Sequence, residues 1–97
     1  MWGIIFIAET AKIGHDSVFY SGTIVEHEST LFSNIVTGSS VTICGRVIIE
    51  NNVFIGAGTT ILPGVKICSG VTLGAGTLVT KDITKPGTYI GAPAKRI

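Results

Sequence analysis

A hydrophobic beat with a period of one hexad runs from Ile7 to Thr84 without interruption. Cut into hexads at Ile7, Ile13, Phe19, Val25, Leu31, Thr37, Ile43, Ile49, Ile55, Ile61, Ile67, Leu73 and Val79, the chain opens every hexad but one, Thr37, with a large apolar residue. The fifth places, from Ala11 and Ser17 through Val41 and Val47 to Thr77 and Ile83, are all small or β-branched. Such side chains suit an extended backbone wrapped round a narrow interior. Nine of the thirteen fourth places are Gly, Asn or Asp, the residues that tolerate a left-handed backbone at a corner. Each hexad therefore reads as a short strand and a corner, and three successive hexads close one triangular coil. The period matches neither that of an α-helix nor a heptad, and the glycine density also excludes ordinary helix. The predicted fold is all-β, a single-stranded parallel solenoid of about four coils.

Composition sets further bounds. A chain of 97 residues holds one domain. Only 13% of it is charged while 45% is hydrophobic, which leaves little polar surface for a monomer. A net charge of +1 gives no reason to expect a nucleic-acid partner. The apolar start WGIIFIA is too short to span a bilayer and lacks the basic flank of a signal peptide. No membrane partner is therefore expected, and a cytoplasmic location is the default. Cys44 and Cys68 both hold second places, four hexads apart and so on different faces. They are expected to be free thiols.

Stacking every third hexad sorts the outward side chains into three faces. One of them presents Val18, Tyr20, Val36, Gly38, Phe54, Gly56, Thr72 and Gly74, without a charge. Val18, Val36 and Phe54 should lie one above another, and an uncharged, partly aromatic outer face is best explained by burial against another copy. Lys85-Pro86-Gly87 breaks the beat, and Thr88-Tyr89-Ile90 restarts an extended segment. The expected organisation is one domain over 1–97, with repeats over 7–84 and a capping tail over 85–97 that covers the last coil.

The run VFIGAGTTILPGVKICSGVTLGAGTLVTKDI, followed by YIGAPAKRI, resembles the hexapeptide-repeat acyltransferases, whose solenoid is a left-handed β-helix. The segment Val25-Glu26-His27-Glu28 is similar to the VEHD-type catalytic motif of bacterial acetyltransferases that act on sialic acids or nucleotide-linked amino sugars. The left hand of the helix, the homotrimer and acetyl-CoA as co-substrate come from this resemblance. So does an acceptor that is the hydroxyl or amino group of a sugar or sugar nucleotide. Proteins with that motif usually carry a nucleotide-sugar-binding α/β domain ahead of the first coil, which this chain is expected to lack.

The resemblance makes His27 the general base, and imidazole suits that task because it titrates near neutral pH. Glu28 would hold its tautomer, as the third member of a triad does. Gly45, one coil above His27, would offer its N–H to the acyl oxygen. Relatives commonly place a second histidine farther along, at the position where Val36 stands. For the donor, Gly56, Ala57, Gly74 and Ala75 would let a pantetheine chain approach the backbone between two subunits, and Lys81, Lys95 and Arg96 would meet the phosphates.

Other readings are weaker. Glu28 and Arg46 hold the same place three hexads apart, so they stack and could pair, which would draw Glu28 from His27. His15 sits on another corner and reads as an exposed structural residue. No metal is expected, since a zinc site of the kind this fold can host needs three histidines and only His15 and His27 exist. The outward threonines form no regular ladder of the kind an ice-binding solenoid needs. The remaining rival is a non-catalytic trimeric module.

Overall fold

The computed structural model describes residues 4–97; Trp2 and Gly3 of the apolar start lie outside the described residues. The strands follow the hexads: β1 (Phe6–Ile7), β2 (Lys12–Ile13), β3 (Val18–Phe19), β4 (Ile24–Val25), β5 (Thr30–Leu31), β6 (Ile35–Thr37), β7 (Thr42–Ile43), β8 (Ile48–Ile49), β9 (Val53–Ile55), β10 (Thr60–Ile61), β11 (Lys66–Ile67), β12 (Val71–Leu73), β13 (Leu78–Val79), β14 (Gly87–Ile90) and β15 (Lys95–Arg96). Up to β13, every third strand pairs in parallel, which builds sheets in the orders β1-β4-β7-β10-β13, β2-β5-β8-β11 and β3-β6-β9-β12-β14-β15. The register of these coils is a constant three hexads, as in Val25↔Ile43 and Leu31↔Ile49. The solenoid makes about five turns rather than four, because the tail adds strands to the third sheet. Among the described residues there is no helix, and so none long and apolar enough to cross a membrane.

From Thr23 to Ile83 every first- and fifth-place side chain is buried. Each coil thus turns mostly β-branched or leucine side chains inward and stacks them on those of the coil below. Thr37, the one polar first place, is buried beside Thr23, and their hydroxyls lie 2.9 Å apart. The Thr23 hydroxyl is also 3.2 Å from the Gly38 carbonyl. A polar pair thus replaces an apolar contact with its hydrogen bonds satisfied.

The corners obey the fold more strictly than the sequence pattern does. Asp16, Asn34 and Asn52 have positive φ, as expected, but so do Glu28 (58°), Ser40 (59°) and Arg46 (58°). A left-handed backbone costs such residues about 1–2 kcal/mol. The coil register imposes it, because the corner N–H groups reach acceptors one coil away: Arg46 N–H the His27 carbonyl (3.0 Å), Ser40 N–H the Ser21 carbonyl (2.9 Å) and Glu28 N–H the Thr10 hydroxyl (3.0 Å).

The beat ends earlier than the hexads indicate. Ile83 bridges Ile67, a step two residues short of a full coil. The Asp82 carboxylate accepts the Lys66 N–H at 2.9 Å, taking the place that a backbone carbonyl holds in the coils below. β14 keeps this shortened register on β12, with Val71 opposite Gly87 and Leu73 opposite Tyr89. β15 then returns antiparallel to β14. Tyr89 donates its hydroxyl to the Lys85 carbonyl (2.8 Å), and Arg96 Nε donates to the Pro86 carbonyl (3.1 Å).

Candidate active site

The first sheet, β1-β4-β7-β10-β13, leads at each coil into a corner that stacks Glu9, His27, Gly45, Pro63 and Lys81. A cleft of about 480 Å³ opens there, lined by Glu26, His27, Cys44, Gly45, Arg46, Pro63 and Gly64. His27 is exposed and Gly45 is buried. A Cβ built on Gly45 would stand 2.9 Å from His27 Cε1 and 3.1 Å from Nε2, so the imidazole lies close against the glycine.

The Cys44–Gly45 peptide is held from inside. Ser29, fully buried, donates its hydroxyl to the Cys44 carbonyl at 2.7 Å and accepts the Val47 N–H at 3.1 Å. In a trans peptide the N–H points opposite to the carbonyl. With the carbonyl drawn toward the core, the Gly45 N–H faces the cleft, and it makes no hydrogen bond among the described residues. A fixed, unpaired N–H beside an imidazole is the pair of groups needed to take a proton and to receive negative charge on an acyl oxygen.

Glu28 is not where the motif leads one to expect. Arg46 Nε donates to Glu28 Oε1 at 2.9 Å, and no hydrogen bond joins Glu28 to the His27 ring among the described residues. The left-handed corners at 28 and 46 stack the two side chains in one column, and opposite charges settle together. The pair is exposed and is worth about 0–1 kcal/mol. Val36 lies on β6, outside the cleft. His15 is exposed, with Nδ1 3.0 Å from Asp16 Oδ2.

The residues expected to hold a donor divide into two groups. Ala57 and Ala75 are exposed on the corner that leads into the first sheet, but Gly56 is buried. A Cβ on Gly56 would meet Ala75 N at 2.6 Å, and one on Gly74 would meet Ile90 Cγ2 at 2.7 Å. At both glycines the space a side chain would fill is taken by the next layer of the protein itself. Lys81 and Lys95 come together with Thr80, Asp82, Tyr89 and Pro93 round a second cleft of about 320 Å³. Arg96 lies outside that cleft, with its Nε given to the Pro86 carbonyl. The His27 corner and the Ala57–Ala75 corner flank opposite ends of the first sheet's strands, so one protomer does not bring them together.

Glu26 and Cys44 also line the cleft, a placement that neither the motif nor the free-thiol reading assigns to them. Their common second place, one coil apart, is the signal that would have found them. Burial pushes the Cys44 thiol above its ordinary value, and the Glu26 carboxylate adds to the shift. Both cysteines are free thiols.

Residues 46–81 match the family described as bacterial transferase hexapeptide (six repeats). Comparison with curated proteins gives no significant match. Among solved structures, serine acetyltransferase from Neisseria gonorrhoeae superposes with a TM-score of 0.90 at 28% identity, over 96% of this chain and 40% of that one. The acetyltransferase domain of PglB from Neisseria gonorrhoeae FA1090 superposes with a TM-score of 0.76 at 23% identity, over 96% of this chain and 54% of that one. A perosamine N-acetyltransferase variant from Caulobacter crescentus, solved with CoA and GDP-perosamine, gives 0.78 at 22% identity, over 94% and 52%. The last two likenesses concern the fold alone. The chain spans 40–54% of the length of these three structures.

Proposed function

From its hexapeptide repeats of the bacterial transferase kind, we propose that this β-helix is an acetyl-CoA-dependent acetyltransferase. The acceptor is a hydroxyl or amino group of a sugar or sugar nucleotide, and His27 is the general base. The observation that carries this reading is the contact of the His27 ring with Gly45, whose N–H is turned into the same cleft.

His27 takes the proton of the acceptor O–H or N–H as that atom bonds to the acetyl carbonyl carbon. The Gly45 N–H faces the carbonyl oxygen as negative charge develops on it. His27 then returns the proton to the departing thiolate sulfur. Acetyl-CoA supplies an acetyl group already activated as a thioester. Lys81 and Lys95 suit the donor's phosphates, and the exposed Ala57 and Ala75 suit an extended chain lying along the corner. Glu28 serves the site through Arg46 rather than by orienting His27.

The homotrimer belongs to the same proposal. Val18 and Phe54 are 50% and 47% exposed on the uncharged face, and burial of that face against neighbouring copies supports the trimer. Free Cys44 and Cys68 suit a cytoplasmic protein. The rival, a non-catalytic trimeric module in a single domain over 1–97, is favoured by one observation, the engagement of Glu28 by Arg46.

Calorimetry with acetyl-CoA and free CoA, followed by acceptor screening with wild type and His27→Ala, separates the two. Binding near one site per subunit and transfer that drops roughly 10²–10⁴-fold in His27→Ala support the enzyme. No binding at millimolar ligand and no transfer to any acceptor leave the module, whereas transfer unaffected by the variant removes His27 as the base and keeps the enzyme.

A further inference from the structure

Two long charged side chains stand beside His27 on backbone that disfavours them. Glu28 and Arg46 have φ of 58°, whereas the equivalent fourth places at 22, 58, 64, 70 and 76 are glycine. The coil register imposes that conformation, so at these two corners long charged side chains are kept against the local preference. Among the described residues, Arg46 is the only Lys or Arg that lines the cleft with His27 and Gly45. Of its guanidinium N–H groups, Nε–H is committed to Glu28 at 2.9 Å. Both terminal nitrogens remain, and they form the edge of the fork that reads planar oxyanions in bidentate fashion. Glu28 thereby aims a side chain that is 73% exposed and would otherwise sample many rotamers. The net charge of +1 gives no general pull on anions, so any capture at this corner is local.

We propose that Arg46 is the specificity residue of the cleft and binds an anionic group, a carboxylate or a phosphate, carried by the acceptor. Glu28 is its positioning partner. The assignment rests on the acetyltransferase reading for the word acceptor, but the anion site can be tested without it. Arg46 and His27 line the same cleft, so an anion on the Arg46 fork shares that cleft with the base. The acceptor is therefore a sugar that carries an acidic group within reach of the same cleft.

The first test is binding. The Arg46 Nε–H resonance is followed by nitrogen-15 NMR while inorganic phosphate, and separately acetate, is added. A saturable shift in wild type is expected. Arg46→Lys, followed by calorimetry with the same anions, should bind more weakly because it keeps the charge and loses the fork, and Arg46→Gln should not bind. A response to phosphate alone assigns a sugar phosphate or nucleotide, and a response to acetate alone assigns a sugar acid. No response to either overturns the proposal.

The second test is kinetic. The ratio of kcat/KM for a sugar phosphate or hexuronic acid over that for a neutral amino sugar should fall roughly tenfold or more in Arg46→Gln, mainly through KM. An unchanged ratio overturns the anion site while leaving acetyl transfer standing. An anion response with no transfer to any acceptor overturns the acetyltransferase reading and upholds the anion site.

Discussion

The His27 ring rests on the bare face of Gly45, so closely that a methyl group there would stand 2.9 Å from Cε1. Gly45 is not among the glycines with positive φ, so alanine can adopt its backbone without strain. Gly45→Ala should therefore leave the fold intact and push the imidazole aside. A displacement of about 1 Å in a catalytic group lowers turnover by about 10²-fold. Circular dichroism should be unchanged while kcat falls; retention of full activity would separate His27 from the chemistry.

Ser29 should matter twice. Ser29→Ala removes the donor to the Cys44 carbonyl and leaves the buried Val47 N–H without its acceptor. The unsatisfied group costs about 1–3 kcal/mol, read as a lower denaturation midpoint. The Cys44–Gly45 peptide also loses its anchor, so kcat should drop in the fraction that remains folded. Ser29→Thr keeps the hydroxyl and should restore most of both.

Ser40 carries a left-handed backbone at an exposed corner, and its side chain makes no hydrogen bond among the described residues. Ser40→Gly should stabilise the chain by about 1 kcal/mol, or about 4–8 °C in Tm for a domain of this size. An unchanged or lower Tm in calorimetry would show that the register does not strain this corner.

Cys44 should alkylate slowly until the pH rises above the ordinary thiol value, because burial and Glu26 both favour its neutral form. Glu26→Gln should bring the reactive pH down only in part, since burial is the larger cause. The folded thiol keeps its proton where the unfolded thiol loses it. Its contribution to stability is therefore absent below the unfolded pKa, where both states hold the proton. As pH rises from the unfolded pKa through the folded one, the unfolded state gives up its proton first, so the raised thiol lowers stability across that window. Alkylation rate against pH, with peptide mapping to separate Cys44 from Cys68, checks the direction.

Phe54 lies near the middle of the uncharged face and is 47% exposed. Phe54→Glu would bury a charge in an apolar contact and should convert a trimer to monomers in sedimentation velocity. Unchanged mass would move the interface to another face.

Much of this was legible in the residues. The alternation of Val41, Ile43, Val47 and Ile49 marks the core because a narrow interior tolerates only that pattern, and every one of those side chains is buried. His27 and Gly45 fall in one column by arithmetic alone. The arithmetic failed where a side chain replaced backbone, as Asp82 does when it accepts from Lys66 and the last coil closes two residues early. At Gly56 and Gly74 the arithmetic is silent, because a glycine that admits a ligand and one that admits the next coil look alike in a sequence.

The sequence by itself determined the period, the inward residues and the columns, since these depend only on how many residues close one coil. Tertiary structure decided what the outward side chains do. Glu28 could face His27 or Arg46, and the register that forces both corners left-handed sets it against the guanidinium. The Gly45 N–H could point either way, and a buried hydroxyl one coil below turns it to the cleft. Those choices depend on distances across coils, which the linear pattern leaves open.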